Sequence, residues 1–98
     1  MQVFLSKRAK VKLENLLSYL ENEWSAKSKT DFIKKLDRSI AQISKLPESC
    51  PESNIFTGLY KCVVTRQTTV YYRIKNQKIE IITLFDTRQN PAVLKKEI

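Results

Sequence analysis

The chain changes its hydrophobic period once, around Pro47, and that change decides what it can fold into. Upstream, Ala9, Leu13, Leu16, Leu17, Leu20 and Trp24 make one apolar stripe at spacings of one, three and four residues. Phe32, Leu36, Ile40, Ile43 and Leu46, widened by Ile33, make a second. Such spacings gather each set on one helix face. Downstream, Leu59–Thr65, Thr69–Lys75 and Lys78–Phe85 are rich in Val, Ile, Thr, Tyr and Phe and read as strands. A pattern with one period does not settle into the other state, so helices and sheet must occupy different parts of the chain.

The punctuation is consistent with this division. Val3, Phe4 and Leu5 read as a short strand, and Ser6 is a competent cap for the helix that follows. Ser28, with Asp31 three residues on, predicts the start of the second helix as an acidic capping box. Pro47 and Pro51 stop that helix, and the short break before it predicts an antiparallel helical hairpin. Asn76-Gln77 suits a two-residue hairpin turn because Asn tolerates positive φ, and Arg66-Gln67-Thr68 makes the other connection. Alternation places Val70, Tyr72 and Ile74 on one face of their strand and Tyr71, Arg73 and Lys75 on the other. In the last strand it groups Ile79, Ile81, Thr83 and Phe85 against Ile82 and Leu84, as in a central strand covered on both sides. Residues Ala92–Ile98 predict a short C-terminal helical turn. The expected fold is α+β, in the order β-α-α-β-β-β. A helical hairpin lies on one face of a curved antiparallel sheet, with residues 1–98 as one domain.

Composition removes several functions. Histidine is absent, and the two cysteines, Cys50 and Cys62, form no C-x-x-C pair, so no transition-metal site and no cofactor is expected. With no secretory signal, the cysteines read as reduced; a disulfide between them would need an oxidising compartment. No apolar run approaches the roughly 20 residues of a membrane span. A single glycine, Gly58, excludes glycine-rich phosphate loops. The formal net charge of +8 predicts an acidic partner.

The candidate residues are therefore mostly cations. Lys7, Arg8, Lys10 and Lys12 crowd the first turns of the first helix, where the macrodipole favours acids; they read as a partner-binding patch or as a solvated face. Cleavage of RNA without histidine needs a base for the 2′-hydroxyl, an acid for the leaving oxygen and cations on the phosphate. Lys61, Arg66, Arg73 and Arg88 supply charge, and Tyr60, Tyr71 and Tyr72 are the available proton carriers, each equally at home as a packing aromatic. Arg88 presents a planar fork suited to phosphate or carboxylate, or else pairs with Asp86 across the turn.

Leu59-Tyr60-Lys61, Val70-Tyr71-Tyr72-Arg73-Ile74 and the run from Ile79 to Pro91, with the β-α-α-β-β-β order, resemble the RelE/ParE superfamily of bacterial toxins. The resemblance implies a RelE-like, microbial RNase-like fold and a cytoplasmic toxin of a type II toxin–antitoxin, plasmid-stabilisation-like module. It also implies a cognate antitoxin that wraps and neutralises the toxin in a hetero-oligomer. ParE-type members poison DNA gyrase; RelE-type members cut messenger RNA in the ribosome. RelE-type members carry basic residues where this chain has Lys61, Val63 and Thr69, and a Tyr or His-Tyr pair after the last strand. Here only Lys61 and Arg88 match, so the resemblance favours gyrase as target over ribosome and mRNA. The nuclease alternative would rest on Arg88, Lys61, Arg66 and Tyr72. Partner binding would rest on Lys7, Arg8, Lys10, Lys12, Arg73 and Arg88. A third alternative is an inactive toxin fold kept for binding alone.

Overall fold

The computed structural model describes residues 1–98. The elements are β1 (Gln2–Leu5), α1 (Lys7–Glu23), α2 (Ala26–Lys45), β2 (Tyr60–Val63), β3 (Thr68–Lys75), β4 (Lys78–Asp86) and α3 (Pro91–Glu97). The α+β class and the element order follow the expectation from sequence. The sheet order is β1-β4-β3-β2; the β2–β3 and β3–β4 pairs are antiparallel, but β1 runs parallel to β4. The expected all-antiparallel sheet is thus corrected to a mixed one.

The reason lies in the hairpin. Helix α1 runs out along β4 and α2 runs back, so α2 ends where β1 begins. There the Met1 ammonium donates to the Ser44 carbonyl at 2.8 Å, and the Ser44 hydroxyl donates to the Met1 carbonyl at 2.7 Å. A cation at the last turn of α2 also complements the helix dipole. A three-strand meander that starts from this end gives its third strand the direction of β1, hence the parallel pair.

Two other local expectations change. Ser25, not Ser28, caps α2: its Oγ accepts from the Ser28 amide at 3.0 Å. In β4 the register steps from Tyr71↔Thr83 to Tyr72↔Ile81, which leaves Ile82 as the extra residue of a bulge. One inserted residue reverses the side-chain parity beyond it. Leu84 therefore joins Ile79 and Ile81 in the core beneath the helices, while Thr83 and Phe85 turn to the opposite face with Tyr71. The hairpin turn behaves as its residues predict: Asn76 and Gln77 have φ of 53° and 60°.

The core lies between the helices and the sheet and gathers Phe32, Leu36 and Ile43 from α2, Ala9 from α1, and Val70, Tyr72, Ile79, Ile81 and Leu84 from the strands. Three residues of the sequence stripes fall outside it: Ile33 is half-buried away from the cluster, and Trp24 and Leu46, at the helix ends, are exposed. Tyr72 is fully buried, stacks on Tyr60 at 5.3 Å and donates its hydroxyl to the Pro47 carbonyl at 2.7 Å. That bond ties the α2–β2 connection to the sheet. On the other face α3, capped by Asn90 and opened by Pro91, buries Leu94. Replacing Tyr72 by Phe leaves the Pro47 carbonyl without its donor; the expected cost is about 1–3 kcal/mol, read as a lower urea midpoint at constant slope.

Candidate functional site

The cations singled out in the sequence separate into pairs and singles once the chain is folded. On α1, Arg8 and Lys12 lie one turn apart on the flank beside the sheet, and both reach Glu97 of α3, at 3.9 and 2.5 Å. The Glu97 side chain is 9% exposed. Its Oε1 also accepts from the Thr83 hydroxyl at 3.1 Å, and its Oε2 is buried without a donor. Lys7 and Lys10 face solvent and take part in none of the six ion pairs. The expected four-residue patch is therefore half a clasp for α3 and half a free cationic surface.

The nuclease candidates do not converge. Lys61 pairs across the ladder with Tyr71, so both lie on the sheet face away from the helical hairpin, as do the paired Val63 and Thr69. Arg73, on that same face, gives its Nε and Nη2 to Glu80 at 2.9 Å each. Tyr72 points the other way, into the core, and burial pushes its hydroxyl well above the usual phenol range. Burial also raises Tyr71. Arg66 and Arg88 lie in two loops stitched together by Thr87, whose amide donates to the Gln67 carbonyl at 3.0 Å and whose hydroxyl donates to the Arg66 carbonyl at 3.1 Å.

Arg88 pairs with Asp86, the alternative that the sequence offered. Its Nε and Nη2 donate to Oδ1 and Oδ2 at 3.0 and 2.7 Å, and its own amide donates to Oδ1 at 2.9 Å. These hydrogen bonds outweigh burial and hold the Asp86 carboxyl below its usual range. The pair does not use up the guanidinium. Five N–H donors are available and two are taken, so the Nη1 edge of a side chain 63% exposed stays free and fixed in plane.

Arg88 lines a groove of about 430 Å³ between the outer ends of α1 and α2 and the loops at the end of β4. Lys12, Lys35 and Arg88 bring positive charge to its walls; Tyr19, Trp24 and Phe32 bring aromatic surface. Trp24 is 69% exposed, and its indole N–H lies 3.4 Å from the Tyr19 hydroxyl. Sequence periodicity assigned Trp24 to the packed stripe and passed over Tyr19. The available signal was position: Trp24 directly precedes the Ser25 cap, where a helix has run past the sheet it packs on.

The Asp86–Arg88 pair gives a pH dependence of known sign. A carboxyl held below its unfolded value of about 3.9 contributes stability above that pH and loses it as the pH falls through the folded value. Asp86→Asn should therefore melt slightly lower than the parent above about pH 4, by a small amount because solvent screens the exposed pair, and the two curves should converge as the pH falls further, giving the variant the flatter acid limb. Melting curves of both proteins across the acid range check this.

The family model described as "ParE toxin of type II toxin-antitoxin system, parDE" matches residues 3–91. Toxin ParE1 of Caulobacter vibrioides is 29% identical over 87 residues, covering 88% of each chain. A chromosomal ParDE system structure from P. aeruginosa superposes with a TM-score of 0.68 at 12% identity, over 88% of this chain and 95% of that one. The YoeB/ParE toxin from Agrobacterium tumefaciens gives 0.66 at 14% identity, over 88% and 98%. The structural likenesses, at 12–14% identity, carry the fold alone. The family match spans every element from β1 to the start of α3, and on it the chain belongs to the ParE toxin family of type II toxin–antitoxin systems.

Proposed function

We propose that this toxin inhibits DNA gyrase in the ParE manner, through contacts made by Arg88 and the groove beside it, and that a cognate antitoxin neutralises it in a hetero-oligomer. The observation that carries the reading is the fate of Tyr72. The one tyrosine placed in the nuclease set has its hydroxyl inside the core on the Pro47 carbonyl, while Lys61 lies on the opposite face of the sheet. Cleavage of RNA needs proton carriers beside the cations, and the sheet divides Tyr72 from Lys61. Binding a protein target needs something else: a fixed charged fork beside exposed aromatic surface, as Arg88, Tyr19 and Trp24 provide. Asp86 supports this by holding the guanidinium plane, so less freedom is lost when the outer edge meets a carboxylate.

The nuclease alternative keeps one point in its favour. Lys61 and Tyr71 are cross-strand partners on one face. Induced expression separates the readings: DNA damage and loss of supercoiling support gyrase, transcript cleavage supports the ribosome, and neither supports the inactive binding fold.

Arg88→Ala should lower toxicity at least tenfold at equal expression while the melting temperature barely moves, since solvent screens an exposed pair. Full growth inhibition by that variant would sink the assignment. For antitoxin capture, the free cations Lys7 and Lys10 are the ones to reverse. Changing both to Glu should slow association by on the order of tenfold at low salt and reduce its salt dependence, with dissociation little changed. Stopped-flow association at two ionic strengths measures this.

A further inference from the structure

Cys50 and Cys62 are the only cysteines in the chain, and the fold sets them opposite each other. Glu52 and Tyr60 form an antiparallel bridge just ahead of β2. Its hydrogen bonds come from the flanking residues: the Ser53 amide donates to the Leu59 carbonyl at 2.6 Å and the Lys61 amide to the Pro51 carbonyl at 3.0 Å. That pattern makes Glu52/Tyr60 a non-hydrogen-bonded pair. The same register, continued two residues along each segment, brings Cys50 toward Cys62, and the two thiols interact directly. Ideal pairs of this kind hold their Cα atoms about 4.5 Å apart, inside the range of about 4.4–6.8 Å that a disulfide spans. Both cysteines are free thiols buried in the same core cluster.

We propose that Cys50 and Cys62 form a redox-modifiable site, which a low-molecular-weight disulfide such as oxidised glutathione converts to an intramolecular cross-strand disulfide. Cys50 is the point of entry, because it lies on the irregular segment before Pro51, which has no amide to extend the ladder. Its thiolate attacks one sulfur of the oxidant, forming a mixed disulfide and expelling one thiolate, which takes up a proton. Cys62 then gives its proton to water and attacks the Cys50 sulfur, and the second small thiol leaves. Two protein thiols are oxidised and one small disulfide is reduced to two thiols.

The surroundings set the order and the rate. Burial, with the adjacent Cys50, pushes the Cys62 thiol up to about 12, so it stays protonated near neutral pH and cannot start the exchange. A protonated Cys62 makes the closing step slow, and burial of the bond once made shields it from reductants. It would fasten the α2–β2 connection to the sheet at the place where Tyr72 already holds Pro47.

The test uses the whole protein in glutathione buffers of increasing oxidised fraction. Thiols are titrated in denaturant, and mass and melting temperature are recorded. Both thiols should disappear together in a monomer that retains no glutathione, with a rise in melting temperature on the order of 10 °C that dithiothreitol reverses. Cys62→Ser should stop at a glutathione adduct on Cys50, and Cys50→Ser should keep its thiol while folded. Two thiols still free at the highest oxidised fraction, an intermolecular dimer, or an oxidised monomer that melts no higher than the reduced one would each overturn the proposal.

Discussion

Ser6 is the single residue between β1 and α1, and its hydrogen bonds place the helical layer on the sheet. Its amide donates to the Ile81 carbonyl at 2.9 Å, its hydroxyl donates to the Ile82 carbonyl at 2.7 Å, and its Oγ accepts from the Ala9 amide at 3.0 Å. The first two bonds continue the pairing to β4 past the end of β1; the third starts a helix. Because Ile82 is the bulged residue, the chain leaves the sheet where β4 itself bends. Helix α1 then takes up the edge of β4 that β1 no longer covers. Ala9 is fully buried there, small enough for close approach. The same placement lets Arg8 and Lys12 reach around the edge to Glu97 on the other face. One strand-to-helix junction thus positions the hairpin above the sheet and the clasp that holds α3 below it.

Much of this was legible from local pattern, and what was not has a physical reason. The Ser6 cap, the Asn76-Gln77 turn and the two amphipathic stripes depend on residues within a few positions of one another, and local chemistry decides them. The parallel pairing of β1 depends on where α2 ends, a property of two helix lengths together. The Ile82 bulge inserts one residue into an otherwise regular alternation, and nothing in Ile-Ile-Thr-Leu-Phe marks which residue is extra. Trp24 and Leu46 obey the helical period but lie beyond the sheet that would cover them, and periodicity carries no information about where a partner layer stops. The exposure of Arg88 was legible because a charged residue on a loop just past a strand end is held out by the rigid sheet. Tyr19, its neighbour in the groove, lies on the helix flank and is brought there only by tertiary packing.

The distribution of charge separates two tasks that net charge alone merges. Six of the 18 Lys and Arg side chains are held in ion pairs, among them Arg8, Lys12, Arg73 and Arg88. At contact range a paired cation is partly neutralised, and its value lies in fixed geometry. Beyond about one Debye length, roughly 8 Å at physiological salt, a partner feels the summed field of a +8 protein, paired residues included. In the function proposed above, encounter with an acidic partner would depend on the whole surface and on free cations such as Lys7 and Lys10. In that function, recognition after encounter would fall to the few side chains that a carboxylate holds in place. Arg88 is one of them: Asp86 reduces its net charge and, by the same hydrogen bonds, fixes the edge it presents. A lysine at that position would keep the charge and lose the two-point hold.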